Sequence, residues 1–246
     1  AIFMSIKEFY DAKAKEEDRF GAMWSNYWPK ELATFQPKAV SKWHEEHVKE
    51  TEVHKVIQYF FFSQWKKLKE YANSKGISIV GDIPIFVASD SADVWANQKL
   101  FQLDSEGRST AVAGVPPDYF SATGQLWGNP LYNWDAMKKT GYKWWIDRIR
   151  AMLSVVDYVR IDHFRGFEAY WSVPAGEETA INGKWVPGPD HALFNKIKEE
   201  LGDIPVIAED LGVITDGVAA LRDDFELPGM KVLQFAFDVN EEKAGA

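Results

Sequence analysis

From residue 142 onward the sequence alternates three times between an amphipathic stretch and a short apolar run, and this limits the fold more than any other feature. A helical pattern over 142–156 leads into the run 157–163. A second, over 190–201 with Gly202 as its cap, leads into 205–211. A third starts after Thr215, a plausible N-cap, continues to about Phe225 and leads into 230–237. An earlier run, 77–86 (ISIVGDIPIF), has the same character, too apolar for a half-exposed strand and typical of a buried parallel one. Helix–strand alternation of this kind predicts a parallel sheet with helices outside it. Four such strands fit either an open doubly wound sheet or half of an eight-stranded barrel. In both, functional polar residues sit at the C-terminal ends of the strands.

Around this frame lie two other kinds of sequence. Residues 1–76 read as a helical region, in which Val53, Val56, Ile57, Phe60, Phe61 and Trp65 recur at three- and four-residue spacings before a cap at Gly76. Burial against other helices is expected for the aromatic run 59–62, and core packing for Trp144 and Trp145. Residues 89–134 are long, rich in Gly, Pro and Asp, and only partly regular, which marks a functional loop. Asp90 and Asp93 are expected to cap the helix that follows them.

Three of the apolar runs carry charged residues near their ends: Asp82, then Arg160 and Asp162, then Glu209 and Asp210. A carboxylate inside a buried strand costs several kcal/mol unless it is paired, so it usually marks a site. Strand alternation puts Arg160 and Asp162 on one face and sends His163 away from Asp162. An arginine there holds a carboxylate ionised and oriented, as a carboxylate nucleophile requires. Glu209 and Asp210 point to opposite faces, so one of them looks into the site. Retaining glycoside cleavage needs two carboxyl groups about 5–5.5 Å apart, and adjacent parallel strands, about 4.8 Å apart, supply that separation. The bland alternative is a buried Arg160–Asp162 ion pair with Glu209 capping the next helix.

The remaining composition excludes several functions. A formal charge of −9 argues against a nucleic-acid partner, and the absence of cysteine rules out disulfide and thiolate chemistry. That absence is compatible with a reducing cytoplasm, the expected location. No apolar run reaches the roughly 18 residues of a membrane span. The cluster of His44, His47 and His54 with Glu45 and Glu46 does not match HExxH and reads as a solvated face, so no metal is expected. No Gly-rich loop links strand to helix, so no cofactor is expected either. The chain has 11 Trp, 9 Tyr and 16 Phe, an excess that suits stacking on sugar rings. Trp185, in a Gly/Pro loop, is a candidate platform of that kind.

Long motifs point further. GDIPIFVASDSADVWA (81–96), AGVPPDYFSATGQLWGNPLYNW (113–134), VRIDHFRGFEAYW (159–171), IAEDLG (207–212) and PGMKVLQFAF (228–237) resemble the 4-α-glucanotransferases. These are the amylomaltases or disproportionating enzymes of glycoside hydrolase family 77. The resemblance implies an α/β fold, a (β/α)8 TIM barrel of the α-amylase clan, covered from about its third to its sixth strand, with a helical region 1–76 ahead of a partial catalytic barrel 77–246. It also implies transfer of α-1,4-glucan segments between maltooligosaccharides, with Asp162 as nucleophile, Glu209 as acid/base and Arg160 supporting the nucleophile. Asp82 corresponds to a carboxylate at the end of the third barrel strand. Tyr119, Phe120, Trp127 and Asn129 fall in the loop lining the glucan groove, and Phe235 matches an acceptor-side aromatic. The family's third carboxylate belongs to a THDN motif that these 246 residues do not contain. The chain is therefore expected to be a central fragment, weak or inactive alone. An α-amylase-like hydrolase and a glucan-binding fragment without chemistry are the competing expectations.

Overall fold

The computed structural model describes residues 1–119 and 121–237, with the backbone alone for Phe235 and Ala236. Five helices come first: α1 (Ile2–Glu16), α2 (Trp24–Tyr27), α3 (Lys30–Ala33), α4 (Pro37–Glu46) and α5 (Val48–Ser74). Phe3 and Ile6, one turn apart, turn the buried face of α1 inward. The buried Ser5 hydroxyl accepts hydrogen bonds from Trp43 Nε1 (3.1 Å) and the Thr51 hydroxyl (3.3 Å), tying α1, α4 and α5 together. Gly76, at φ +74, lies just past the end of α5 where the sequence calls for a cap.

The expected burial of the α5 aromatics is not found. Tyr59, Phe60, Phe61 and Phe62 are exposed, as are Val53, Val56 and Ile57, and Thr51 is the buried residue of this helix. The helices that contact α5 are α1, α4 and, later in the chain, α8 (Lys143–Val155), and these contacts leave the four rings exposed. Trp65 donates from Nε1 to Val155 O (2.6 Å) and Lys69 to Val156 O (2.8 Å), which fixes the C-terminal half of α5 to the end of α8.

The chain then runs through β1 (Val80–Pro84), α6 (Ala92–Ala96), β2 (Ala111–Val115), β3 (Gln125–Pro130), α7 (Trp134–Lys139) and α8 (Lys143–Val155). It continues with β4 (Tyr158–Asp162), β5 (Ala169–Pro174), β6 (Lys184–Pro187), α9 (Asp190–Leu201), β7 (Val206–Ala208) and α10 (Asp216–Asp224). Strands β1, β4 and β7 form a parallel sheet with β4 in the centre, in the register Asp82 opposite Arg160 and Ile161 opposite Ala208. Their inward residues Ile83, Val159, Ile161, Val206 and Ala208 are buried with Trp145, Ile149, Leu193, Phe194 and Ile197 from the helices. Gly202 (φ +73) closes α9 and the Thr215 hydroxyl caps α10 by accepting from Val218 N (3.3 Å), both as expected. No helix among the described residues is long and apolar enough to cross a membrane.

Three expectations need correction. Residues 230–237 are not a strand: Leu233–Phe237 is a 3-10 turn. The segment meets β7 through one bond from Ala208 N to Pro228 O (2.9 Å), and the Asp210 carboxylate takes the Met230 N–H, so no ladder starts. Residues 89–134 are more ordered than a loop. They contribute α6, β2 and β3, and with β5 and β6 they build an antiparallel sheet in the order β3-β2-β5-β6. At the start of α6 the cap is Ser91, whose hydroxyl accepts from Val94 N (3.2 Å), while Asp90 pairs with Lys7 at 2.6 Å. Both tryptophans of α8 take the packing role assigned to them, Trp145 fully buried and Trp144 edge-on to it at 5.7 Å. A Trp145→Ala variant should lose about 3–5 kcal/mol of stability, measured by denaturant unfolding.

Candidate active site

The parallel sheet brings the singled-out charges to one edge. Arg160 lies between two carboxylates, donating from Nη1 to Asp82 Oδ1 (2.7 Å) and from Nη2 to Asp162 Oδ1 (2.6 Å). Its third nitrogen, Nε, donates to the Met230 thioether sulfur at 3.2 Å. Partial burial works against the guanidinium charge, but the bonds to Asp82 and Asp162 outweigh it and hold the pKa above the ordinary arginine value. The pair is not buried, since Asp162 is 44% and Asp82 60% exposed in their side chains. Asp162 is thus held by an arginine and still partly open to solvent.

Glu209 extends the ladder beyond β7: its N–H donates to Ile161 O (3.0 Å), and its own carbonyl accepts from Phe164 N (3.2 Å). This places it beside Asp162 on the neighbouring strand. Its carboxylate accepts two backbone N–H groups, His163 N on Oε2 (2.8 Å) and Leu211 N on Oε1 (2.9 Å). The first donor is available because His163 turns into the left-handed region at φ +53. Glu209 does not cap the following helix, because Thr215 does. Asp210 points the other way and is bound by Arg222 and Met230 N. One of the two acids faces the site, as alternation requires.

The His163 ring meets Trp127 edge to face at 4.8 Å. Burial, with Arg165 nearby, pushes its pKa down to about 4, so the ring is neutral near pH 7. Trp127 is half exposed on β3, and Asn129 donates from Nδ2 to Val87 O (3.0 Å), fixing that strand to the segment after β1. Tyr119 is exposed. Phe120 and the Phe235 side chain lie outside the described residues. One face of Trp185 is occupied by the Arg165 guanidinium, 4.1 Å from the ring centroid. His47 stacks on Trp43 at 3.7 Å and His54 bonds to Glu8. Among the described residues no group of three or more His, Asp and Glu side chains is placed to hold a metal ion.

Two residues that sequence reading missed shape the end of β1. Arg148 donates from Nη2 to Pro84 O (2.8 Å) and the Tyr132 hydroxyl donates to Ile85 O (2.6 Å). Single polar groups on an otherwise amphipathic helix or in a loop carry no periodic signal that distinguishes them from surface residues.

An α/β protein with an arginine-bound carboxylate and a backbone-bound carboxylate on adjacent strand ends falls in the class of parallel-sheet proteins whose sites gather at the C-terminal edge. The chain belongs to the 4-alpha-glucanotransferase family, glycoside hydrolase family 77, whose model matches residues 1–245. It is 51% identical over 242 residues to a 4-alpha-glucanotransferase of Streptococcus pneumoniae, covering 98% of this chain and 46% of that protein. A 4-alpha-glucanotransferase of Thermus thermophilus is 53% identical over 238 residues, with 97% and 46% covered. The solved amylomaltase of Streptococcus agalactiae in complex with acarbose superposes with TM-score 0.89 at 43% identity, over 96% of this chain and 46% of that one. The chain thus spans about half the length of the curated relatives it matches.

The His163 environment has a consequence for acid stability. The unfolded histidine takes up its proton near pH 6.5 and the folded one only near 4, so acidification through that interval favours the unfolded chain. Stability is retained above about pH 6.5 and falls toward pH 4. Denaturant unfolding of wild type and His163→Gln at pH 7.0, 5.5 and 4.5 should show the gap between them narrowing or reversing as pH falls.

Proposed function

We propose that Asp162 and Glu209 are the nucleophile and acid/base of a retaining 4-α-glucanotransferase. The observation that carries this reading is the β4–β7 register, which sets Glu209 next to Asp162 while Arg160 holds the latter. Strand spacing of about 4.8 Å agrees with the separation of about 5–5.5 Å that covalent, retaining glycoside chemistry uses.

In the first step Glu209 protonates the glycosidic oxygen of an α-1,4-linked glucan as Asp162 attacks the anomeric carbon. The bond to the leaving chain breaks, and a β-glycosyl ester forms on Asp162. In the second step the Glu209 carboxylate removes the proton from an acceptor 4-hydroxyl, whose oxygen displaces Asp162 and restores the α-linkage. Arg160 holds and aims the Asp162 carboxylate through its hydrogen bond. Asp82, Tyr119, Phe120, Trp127, Asn129 and Phe235 are assigned to the glucan, by hydrogen bonding or ring stacking. In this reading β1, β4 and β7 are consecutive strands of a (β/α)8 barrel, residues 1–76 form its helical subdomain, and the protein acts on maltooligosaccharides in the cytoplasm.

Incubating the full-length protein with maltotriose should yield glucose together with a ladder of longer maltooligosaccharides. Shortened products alone would instead support the hydrolase reading. Asp162→Ala should lower turnover by about three orders of magnitude or more while binding of maltooligosaccharides, followed by tryptophan fluorescence, persists. Surviving turnover would overturn the nucleophile assignment.

A further inference from the structure

The site described above leaves one buried acid without a role. Asp210 follows Glu209 but faces the opposite side, and its side chain is only 4% exposed. A buried carboxylate costs several kcal/mol unless its partners compensate. Its partners are the Arg222 guanidinium from α10 and the backbone N–H of Met230, the latter at 2.7 Å. Met230 in turn presents its sulfur to Nε of Arg160 at 3.2 Å. Every nitrogen of the Arg160 fork is thereby engaged, two on carboxylates and one on this thioether.

The two residues before Met230 belong to the same device. Pro228 O accepts the N–H of Ala208 at 2.9 Å, laying the segment along the end of β7. Gly229 packs so closely on the Asp210 carboxylate that a Cβ there would collide with both of its oxygens. The sequence Pro-Gly-Met is therefore read in full: an acceptor that docks the segment, a residue without a side chain that admits the carboxylate, and a sulfur that meets the arginine.

We propose that Asp210 and Met230 are positioning residues for the glycosyl-transfer site. Asp210, neutralised by Arg222, fixes the backbone of Met230, and the Met230 sulfur fixes the rotation of the Arg160 guanidinium. That rotation decides whether the fork reaches Asp82 and Asp162 together. A thioether is a weak, polarisable acceptor, so it orients Nε–H without competing with the carboxylates for the charge. Asp210 touches neither substrate nor reacting atoms and acts through Met230 and Arg160. This inference rests on the proposed roles of Asp162 and Glu209.

The test compares two donors in the full-length protein. Maltotriose needs acid assistance to depart, whereas α-maltosyl fluoride carries a leaving group that departs with little. Loss of acid assistance in the first step is bypassed by the fluoride and shows as a restored burst of fluoride release; damage on the nucleophile side is not. Met230→Leu keeps the volume and removes the acceptor, and it should lower kcat by about tenfold on both donors with KM within about twofold. Asp210→Asn keeps an oxygen for Met230 N–H, so it should retain more activity than Asp210→Ala. Glu209→Gln serves as the control: the fluoride restores its first step, read as a burst of fluoride release, while its second step still lacks the base. Should Asp210→Ala fail to fold, judged by far-UV circular dichroism, Met230→Leu and Gly229→Ala decide the matter. Wild-type kcat for Met230→Leu on both donors would overturn the positioning role, as would rescue of that variant by the fluoride. Absence of turnover in the wild type would instead overturn the function on which it rests.

Discussion

Arg160 stands between Asp82 and Asp162 at the edge of a three-stranded parallel sheet, and the site depends on that cation. Carboxylates on neighbouring strand ends repel one another. An ammonium acts as a point charge, whereas a guanidinium offers a rigid fork that reaches two anions at once. β4 is central, so one strand supplies the fork and one of its anions, and β1 supplies the other. The apolar residues on either side of Arg160, Val159 and Ile161, point into the core and lock the pleat that keeps Arg160 and Asp162 on the same face.

Much of this frame is legible in the sequence. The three helices before β4, β7 and the last turn are marked by 3.6-residue periodicity and by Thr215 and Gly202 at their ends, signals set locally by the backbone. The face of Arg160 and Asp162, and the divergence of Glu209 and Asp210, follow from the two-residue repeat of a strand. Residues 230–237 look like a strand because they are apolar, yet pairing is a property of two chains. There the potential partner, β7, gives one N–H and then diverts into the Asp210 turn. The antiparallel sheet is hidden for the opposite reason: β2 (AVAGV) and β3 (QLWGNP) carry small residues, Gly and Pro where alternation would show.

Burial is the other quantity that periodicity does not carry. The α5 repeat of Val53, Val56, Ile57, Phe60 and Phe61 correctly marks a helix and one apolar face, but whether anything lies against that face depends on elements elsewhere. In this chain α1, α4 and α8 contact the helix, and its aromatic run stays exposed. Conversely, the tertiary hydrogen bonds made by Arg148 and Tyr132 at the end of β1 leave no trace in any local pattern.

The left-handed turn at His163 has a mechanical meaning. Its N–H holds Glu209 by the carboxylate, while the Glu209 backbone is already sewn to Ile161 and Phe164 on either side of Asp162. The two acids are therefore rivets in one plate. Their backbone spacing is inherited from the ladder.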